Sequence, residues 1–320
     1  MPRRLEDRLA AIDRIEASPG EAELAELRQA LGAKTGILVA AAARVVGDLA
    51  IDSLVDQLPA AFENLLERPV ERDPGCRGKA QIARSLIQLE RWFDRVFARG
   101  VSHVQREPVY GGSEDTAAEL RGLCGIAHAR LGHHDAPLVL AQLLADPERA
   151  ARAAAAQGLG DSGRPDAIPL LRYKALVGDD EPAVLAACFG SLLALAPDDS
   201  LPFVAAFLER GEVEQAEVAA LALGESRRQA ALPLLLAWCD GAMGEQRRVG
   251  FLAIALLRLE PATAHLLAVV EGGEPDEALS AARALATFRD DPSLSPRIAT
   301  ATAGRARASR DEIRRLFAPR

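Results

Sequence analysis

Proline recurs along this 320-residue chain at a nearly constant step. Pro137, Pro169, Pro202 and Pro233 stand 32, 33 and 31 residues apart, and His265 divides the interval from Pro233 to Pro296 into 32 and 31. Periodicity at this length marks a supersecondary unit that is copied and stacked, because one copy cannot bury its apolar face alone. The flanking residues say what the unit is. Asp146-Pro147 opens the alanine-rich stretch Ala150–Ala156, which ends at Leu159-Gly160. That order places an acid and a proline where a helix starts and a glycine where it leaves. A second helix is expected from Asp166 to Val177, with Pro169 in its first turn, where its missing N–H costs no intrahelical bond.

The same openings return along the chain. Asp135/Pro137, Ser200/Pro202 and Ser293/Pro296 mark second helices, while Asp73-Pro74, Glu181-Pro182 and Glu274-Pro275 place an acid before a proline at the head of first helices. Alanine on the first helices permits close helix approach, and leucines such as Leu170, Leu171, Leu234, Leu235, Leu266 and Leu267 fill the layer between. Upstream, a degenerate repeat is expected over 35–68, with a first helix at 36–50 and a second containing Leu58-Pro59-Ala60. A further pair spans about 76–89 and 91–104 and puts Trp92 at the ladder position. No stretch alternates as a strand does, and aromatic residues are only 4% of the chain.

The helix ends Ala156-Gln157-Gly158-Leu159-Gly160 and Ala220-Leu221-Ala222-Leu223-Gly224, with the openings Ala167-Ile168-Pro169-Leu170-Leu171 and Ala231-Leu232-Pro233-Leu234-Leu235, resemble HEAT-type repeats, in particular the short alanine-rich versions common in bacterial proteins. The resemblance covers about 114–299. It implies an all-α, right-handed α-solenoid of stacked antiparallel helix pairs, about six to eight of them. It implies little about activity, because such arrays host many functions. Three segments are expected: an N-terminal helical cap over 1–31, with Ser18-Pro19-Gly20-Glu21 as a capping box; the repeat array over 32–299; and a closing helix with a basic tail over 300–320, capped at Ser309.

From Trp92 to Pro137 the step is 45, an excess of about 13 over the period. The stretch Gln105–Ser113, with Pro108 and paired Gly111-Gly112, is the expected insertion and reads as a turn that projects between repeats. Next to it lies the most distinctive candidate surface. Arg91, Arg95 and Arg99 follow at four-residue steps on one expected helix face, with Trp92, Phe93, Val96 and Phe97 toward the core. Arg106 and Tyr110 lie in the adjoining loop. Such a stripe suits an acidic partner; the alternative is a solvated face offset by Glu90 and Asp94.

Residues 107–299 carry 16 basic and 28 acidic side chains, which argues against nucleic acid along the array, although a local basic strip with the Arg305–Arg320 tail keeps that reading open. The five histidines include the cluster His128, His133, His134 and Asp135, whose spacing matches no established ligand pattern. They are read as turn and surface residues, and no metal or cofactor is expected. Cys76, Cys124, Cys188 and Cys239 stand apart and read as small buried residues. With no apolar run long enough for a signal peptide or a bilayer span, the expected setting is a reducing cytoplasm.

Enzymatic relatives of the repeat type imply specific residues. The deoxyhypusine hydroxylase family uses repeated His-Glu dipeptides, of which this chain has none. The bilin lyases resemble it only in repeat style, and the DNA alkylation-repair glycosylases use a basic groove that this acidic array lacks. The expected function is therefore a non-catalytic scaffold that binds another protein, with a repeat-built enzyme or accessory lyase as the alternative.

Overall fold

The computed structural model describes residues 2–318. Met1, Pro319 and Arg320, at the ends of the expected cap and tail, lie outside the described residues. The chain divides into two compact units, residues 1–170 and 171–320.

The first unit holds α1 (Pro2–Asp13), α2 (Glu21–Leu31), α3 (Gly36–Asp48), α4 (Asp52–Val55), α5 (Leu58–Leu66), α6 (Pro69–Arg72), α7 (Arg77–Gln88), α8 (Asp94–Gly100), β1 (Arg106–Val109), β2 (Gly112–Asp115), α9 (Ala118–Arg130), α10 (Ala136–Leu143) and α11 (Arg149–Asp161). Helix α12 (Ala167–Val177) spans the division. The second unit continues with α13 (Pro182–Leu195), α14 (Pro197–Arg210), α15 (Val213–Glu225), α16 (Ala231–Gly241), α17 (Gly244–Leu256), α18 (Glu260–Gly272), α19 (Pro275–Ala286), α20 (Leu294–Ala301) and α21 (Arg307–Arg315).

Each unit is a row of first helices with second helices laid against it. In the first, α3 packs on α7, α7 on α9 and α9 on α11; in the second, α13 packs on α15, α15 on α17 and α17 on α19. The second helices α14 and α16, and α18 and α20, meet as neighbours in the same way. The α-solenoid class read from the proline ladder is thus what each unit shows. Pro137, Pro169, Pro233 and Pro296 all fall in the opening turn of a helix. Pro202 does not, because Pro197 starts α14 earlier and leaves Pro202 inside it.

Small residues set the spacing of the first helices. A Cβ on Gly224 would stand 2.9 Å from the carbonyl carbon and Cα of Ala253, so α15 and α17 touch backbone to backbone there. Of the six leucines expected in this layer, Leu171, Leu235 and Leu266 are fully buried and Leu170, Leu234 and Leu267 are half-buried.

Several boundaries differ from expectation, for local reasons. Helix α7 ends in a Schellman turn: Arg91 N–H donates to Leu86 O at 2.8 Å and Glu90 N–H to Ile87 O at 3.1 Å, with Glu90 left-handed at φ 53°. That turn cuts the expected 91–104 helix to Asp94–Gly100. Asp146 is not an N-cap. It sits upstream of α11 and accepts Glu148 N–H at 2.8 Å, as Asp179 does from Glu181 and Asp291 from Ser293, both at 2.9 Å. The N-terminal capping box forms at Gly20, whose N–H donates to Glu23, rather than at Ser18, and Ser309 falls inside α21.

The thiols are buried as expected. Burial, acting before any neighbouring charge, pushes Cys76 and Cys188 up to about 12 and Cys239 to about 11, and it also raises Cys124. Native protein treated with a thiol-reactive dye at mildly alkaline pH is expected to stay unlabelled, with all four sites reacting after denaturation; labelling without unfolding would contradict this packing.

Candidate partner-binding surface

Arg91, Arg95 and Arg99 do not form one helical stripe. Arg91 lies in the link before α8 and pairs with Asp52 at 2.8 Å, while Arg95 and Arg99 share Glu63 of α5. Arg95 Nε stands 3.0 Å from Glu63 Oε1, and Arg99 donates to Glu63 Oε2. Glu63 thus relieves the repulsion that a bare stripe would carry. Trp92, expected in the core, is one of the exposed large apolar side chains, whereas Val96 and Phe97 are buried as anticipated. Between α5 and α8 a groove of about 590 Å³ is lined by Pro59, Ala60, Glu63, Trp92, Phe93 and Arg95.

The insertion is a β-hairpin, where the sequence reading found only a turn. Arg106 pairs with Asp115, Glu107 with Glu114, Pro108 with Ser113 and Val109 with Gly112, and Tyr110-Gly111 closes the ribbon. Gly111 takes φ 89°, a position that a side chain disfavours. Neither strand buries an apolar face, so alternation could not signal it. The hairpin is held instead at its base by charge.

Gln105, buried, donates through Nε2 to Asp73 O at 2.8 Å and Glu107 Oε1 at 2.7 Å; the same Glu107 oxygen accepts Gly75 N–H and Thr116 Oγ1–H, each at 2.7 Å. Burial opposes ionisation of Glu107, but these donors outweigh it and hold the carboxyl below its ordinary range. Asp115 accepts Gln105 N–H and Ala117 N–H at 3.0 Å and Arg121 Nη1 at 2.8 Å. Its carboxyl is likewise lowered, against the effect of burial.

Arg121, at the head of α9, then reaches across to α11. It makes a bidentate pair with Asp146, at 2.7 and 2.8 Å, and also donates to His103 O. One layer back, Asp73 accepts Gly78 N–H at 2.7 Å, Lys79 N–H at 3.0 Å and Lys79 Nζ at 2.8 Å, with both side chains essentially inaccessible. The sequence reading missed this network. Its signal was an aspartate six residues before a basic residue, at 73/79, 115/121 and 146/152.

The five expected contact residues therefore form two groups. Arg106 and the fully exposed Tyr110 ride on the hairpin, beyond the start of α7. Arg91 lies past the other end of that helix, about 18 Å away by helical rise, and Arg95 and Arg99 lie along α8. In the second unit a groove of about 680 Å³ between α14 and α16, lined by Leu201, Pro202, Ala205, Leu234, Trp238 and Gln246, had no counterpart in the sequence reading. Of its named lining residues, only Pro202 is a ladder position.

The profile of the HEAT repeats family matches residues 136–221, the run from α10 into α15. This stretch consists of HEAT repeats. Among solved structures, the complex of CpcE and CpcF of phycocyanin lyase from Nostoc sp. PCC7120 aligns with 82% of this chain and 93% of its own, at 17% identity and a TM-score of 0.40. No curated protein of similar sequence was found. The matched stretch starts at α10, after the hairpin, and includes Asp146 of the buried charge network. Among the described residues no helix is long and apolar enough to cross a membrane.

Proposed function

We propose that the chain is a non-catalytic scaffold whose stacked helix pairs present the hairpin as a protein-binding element. The observation that supports this most is the contrast between the two ends of the ribbon. Its base is tied by buried charged groups to α7, α9 and α11, while nothing lies within 4 Å of where a Cβ would stand on Gly111 or Gly112, and Tyr110 is bare. A rigidly mounted, solvent-exposed aromatic tip loses little entropy when a partner covers it, and tyrosine is enriched at interface hot spots. Arg106 at the hairpin and Arg95 and Arg99 along α8 supply cations for an acidic partner surface. Glu63 must release or share them, which makes these contacts secondary to the tip.

Affinity capture from native-host lysate, comparing intact chain with Tyr110→Ala and with Arg95→Glu/Arg99→Glu, tests this reading. A protein partner held by the intact chain should be lost from Tyr110→Ala, with affinity falling about 30-fold or more for a hot-spot aromatic. The arginine variant should lose less, and more at low salt than at high salt. Equal retention by Tyr110→Ala, at an unchanged melting temperature, would move the interface off the hairpin.

A further inference from the structure

The turn between α9 and α10 gathers imidazole and carboxylate donors apart from the hairpin and its buried charges. His128 occupies the last turn of α9, with its side chain only 11% exposed. Gly132, at φ 72°, ends the helical path and swings His133 back, so that its ring stacks on that of His128 with centroids 4.2 Å apart and planes 16° from parallel. Asp135 leads into α10 and puts Oδ1 3.0 Å from His128 Nε2. One ligand atom from each of His128, His133 and Asp135 lies within 4.8 Å of the others. Asp94, at the start of α8, places Oδ1 3.6 Å from His133 Nε2.

We propose that His128, His133 and Asp135 form a binding site for a divalent transition-metal ion of the zinc, cobalt and nickel type, with Asp94 as an additional oxygen donor. The donor set selects this class, since two imidazoles with carboxylate oxygen suit borderline ions, whereas calcium and magnesium prefer oxygen throughout. The span is also right. Ligands about 2.0–2.2 Å from a tetrahedral ion stand roughly 3.3 Å apart, close to the 3.0 Å between His128 Nε2 and Asp135 Oδ1. A small splay of the two rings then brings the nitrogen of His133 into range. A helix-capping hydrogen bond would account for His128 and Asp135 alone, but it leaves the second imidazole and Asp94 without a role. His134, though adjacent, is exposed and is not among the converging groups, as neighbours in a turn point apart. The ion would fasten the end of α9 to the starts of α8 and α10.

Titration of the metal-free full chain with Co²⁺, followed by visible absorption, reads the site directly, and Zn²⁺ competition reads its affinity. Saturable binding of a single Co²⁺ per chain is expected, with intense bands of low coordination that vanish on adding Zn²⁺. His133→Gln and Asp135→Asn should each weaken binding by about tenfold or more, while His134→Gln stays within about twofold. The two ligand changes fall on half-buried turn residues, and circular dichroism melts of each variant confirm that the chain is folded. Co²⁺ uptake that never saturates, or His134→Gln weakening it as much as His133→Gln, would overturn the assignment.

Discussion

Arg121→Met should lower the stability of the first unit by about 3–5 kcal/mol, the usual result of removing one partner from a buried charge pair. The reason is the company it leaves behind. Arg121 is 4% exposed and stands between the carboxylates of Asp115 and Asp146, themselves nearly inaccessible. Without the guanidinium, two buried carboxylates lose the cation they share. The loss is large against the 5–15 kcal/mol that a domain usually has, so urea unfolding at neutral pH should show a sharply lower midpoint. The pH dependence has a definite sign. Asp115 is depressed in the folded intact chain, so its contribution is fully present above the unfolded carboxylate value of about 3.9 and disappears as pH falls through the lower folded value. In the variant Asp115 loses its cation while burial still favours its neutral form, so mild acid should narrow the gap between the two proteins. A loss below about 1 kcal/mol at neutral pH would mean that the network is not the anchor described.

Gly224→Val should cost about 3 kcal/mol, at the upper end of what overpacking does. The obstacle is backbone. A Cβ there meets the carbonyl carbon and Cα of Ala253, which cannot rotate away as a side chain would, so α15 and α17 must separate along their contact. Gly190 supplies the control. It also lies inside a helix, α13, but nothing stands within 4 Å of its missing Cβ. Gly190→Ala should therefore stabilise the chain by up to about 1 kcal/mol through helix propensity alone. Thermal melts of the two variants should move in opposite directions; a common destabilisation would indicate that close helix approach does not decide these positions.

The fold was legible because its punctuation repeats. A proline in the opening turn of a second helix is a local signal, and Pro137, Pro169, Pro233 and Pro296 placed their helices correctly. What escaped was decided by partners distant in sequence or by unusual backbone. Glu90 and Ala50 turn helices in left-handed conformations where a glycine would have announced the stop, so the arginine stripe was drawn on a helix that begins only at Asp94. The hairpin escaped because Arg106–Val109 and Gly112–Asp115 have no apolar face, and Asp73, Gly75 and Arg121, all outside the ribbon, fix its base. The histidine cluster was visible as a composition, but which of His133 and His134 turns toward His128 depends on the path after Gly132. Charged residues such as Lys79 and Asp73 read as surface in a sequence, and only their six-residue spacing hints that they are interior.

The bidentate reach of Arg121 from α9 to Asp146 ahead of α11 changes how the first unit can come apart. A row of stacked pairs would ordinarily fray one layer at a time from its end, each detachment costing only its own interface. Here, peeling α11 away takes Asp146 from Arg121 and leaves a guanidinium in a poorly hydrated place with Asp115 as its remaining carboxylate partner. The intermediate is dearer than the sum of its lost contacts. Amides of α9 and α11 should then exchange with solvent deuterium together, through one shared opening, although neighbouring layers in a linear array are otherwise free to open separately.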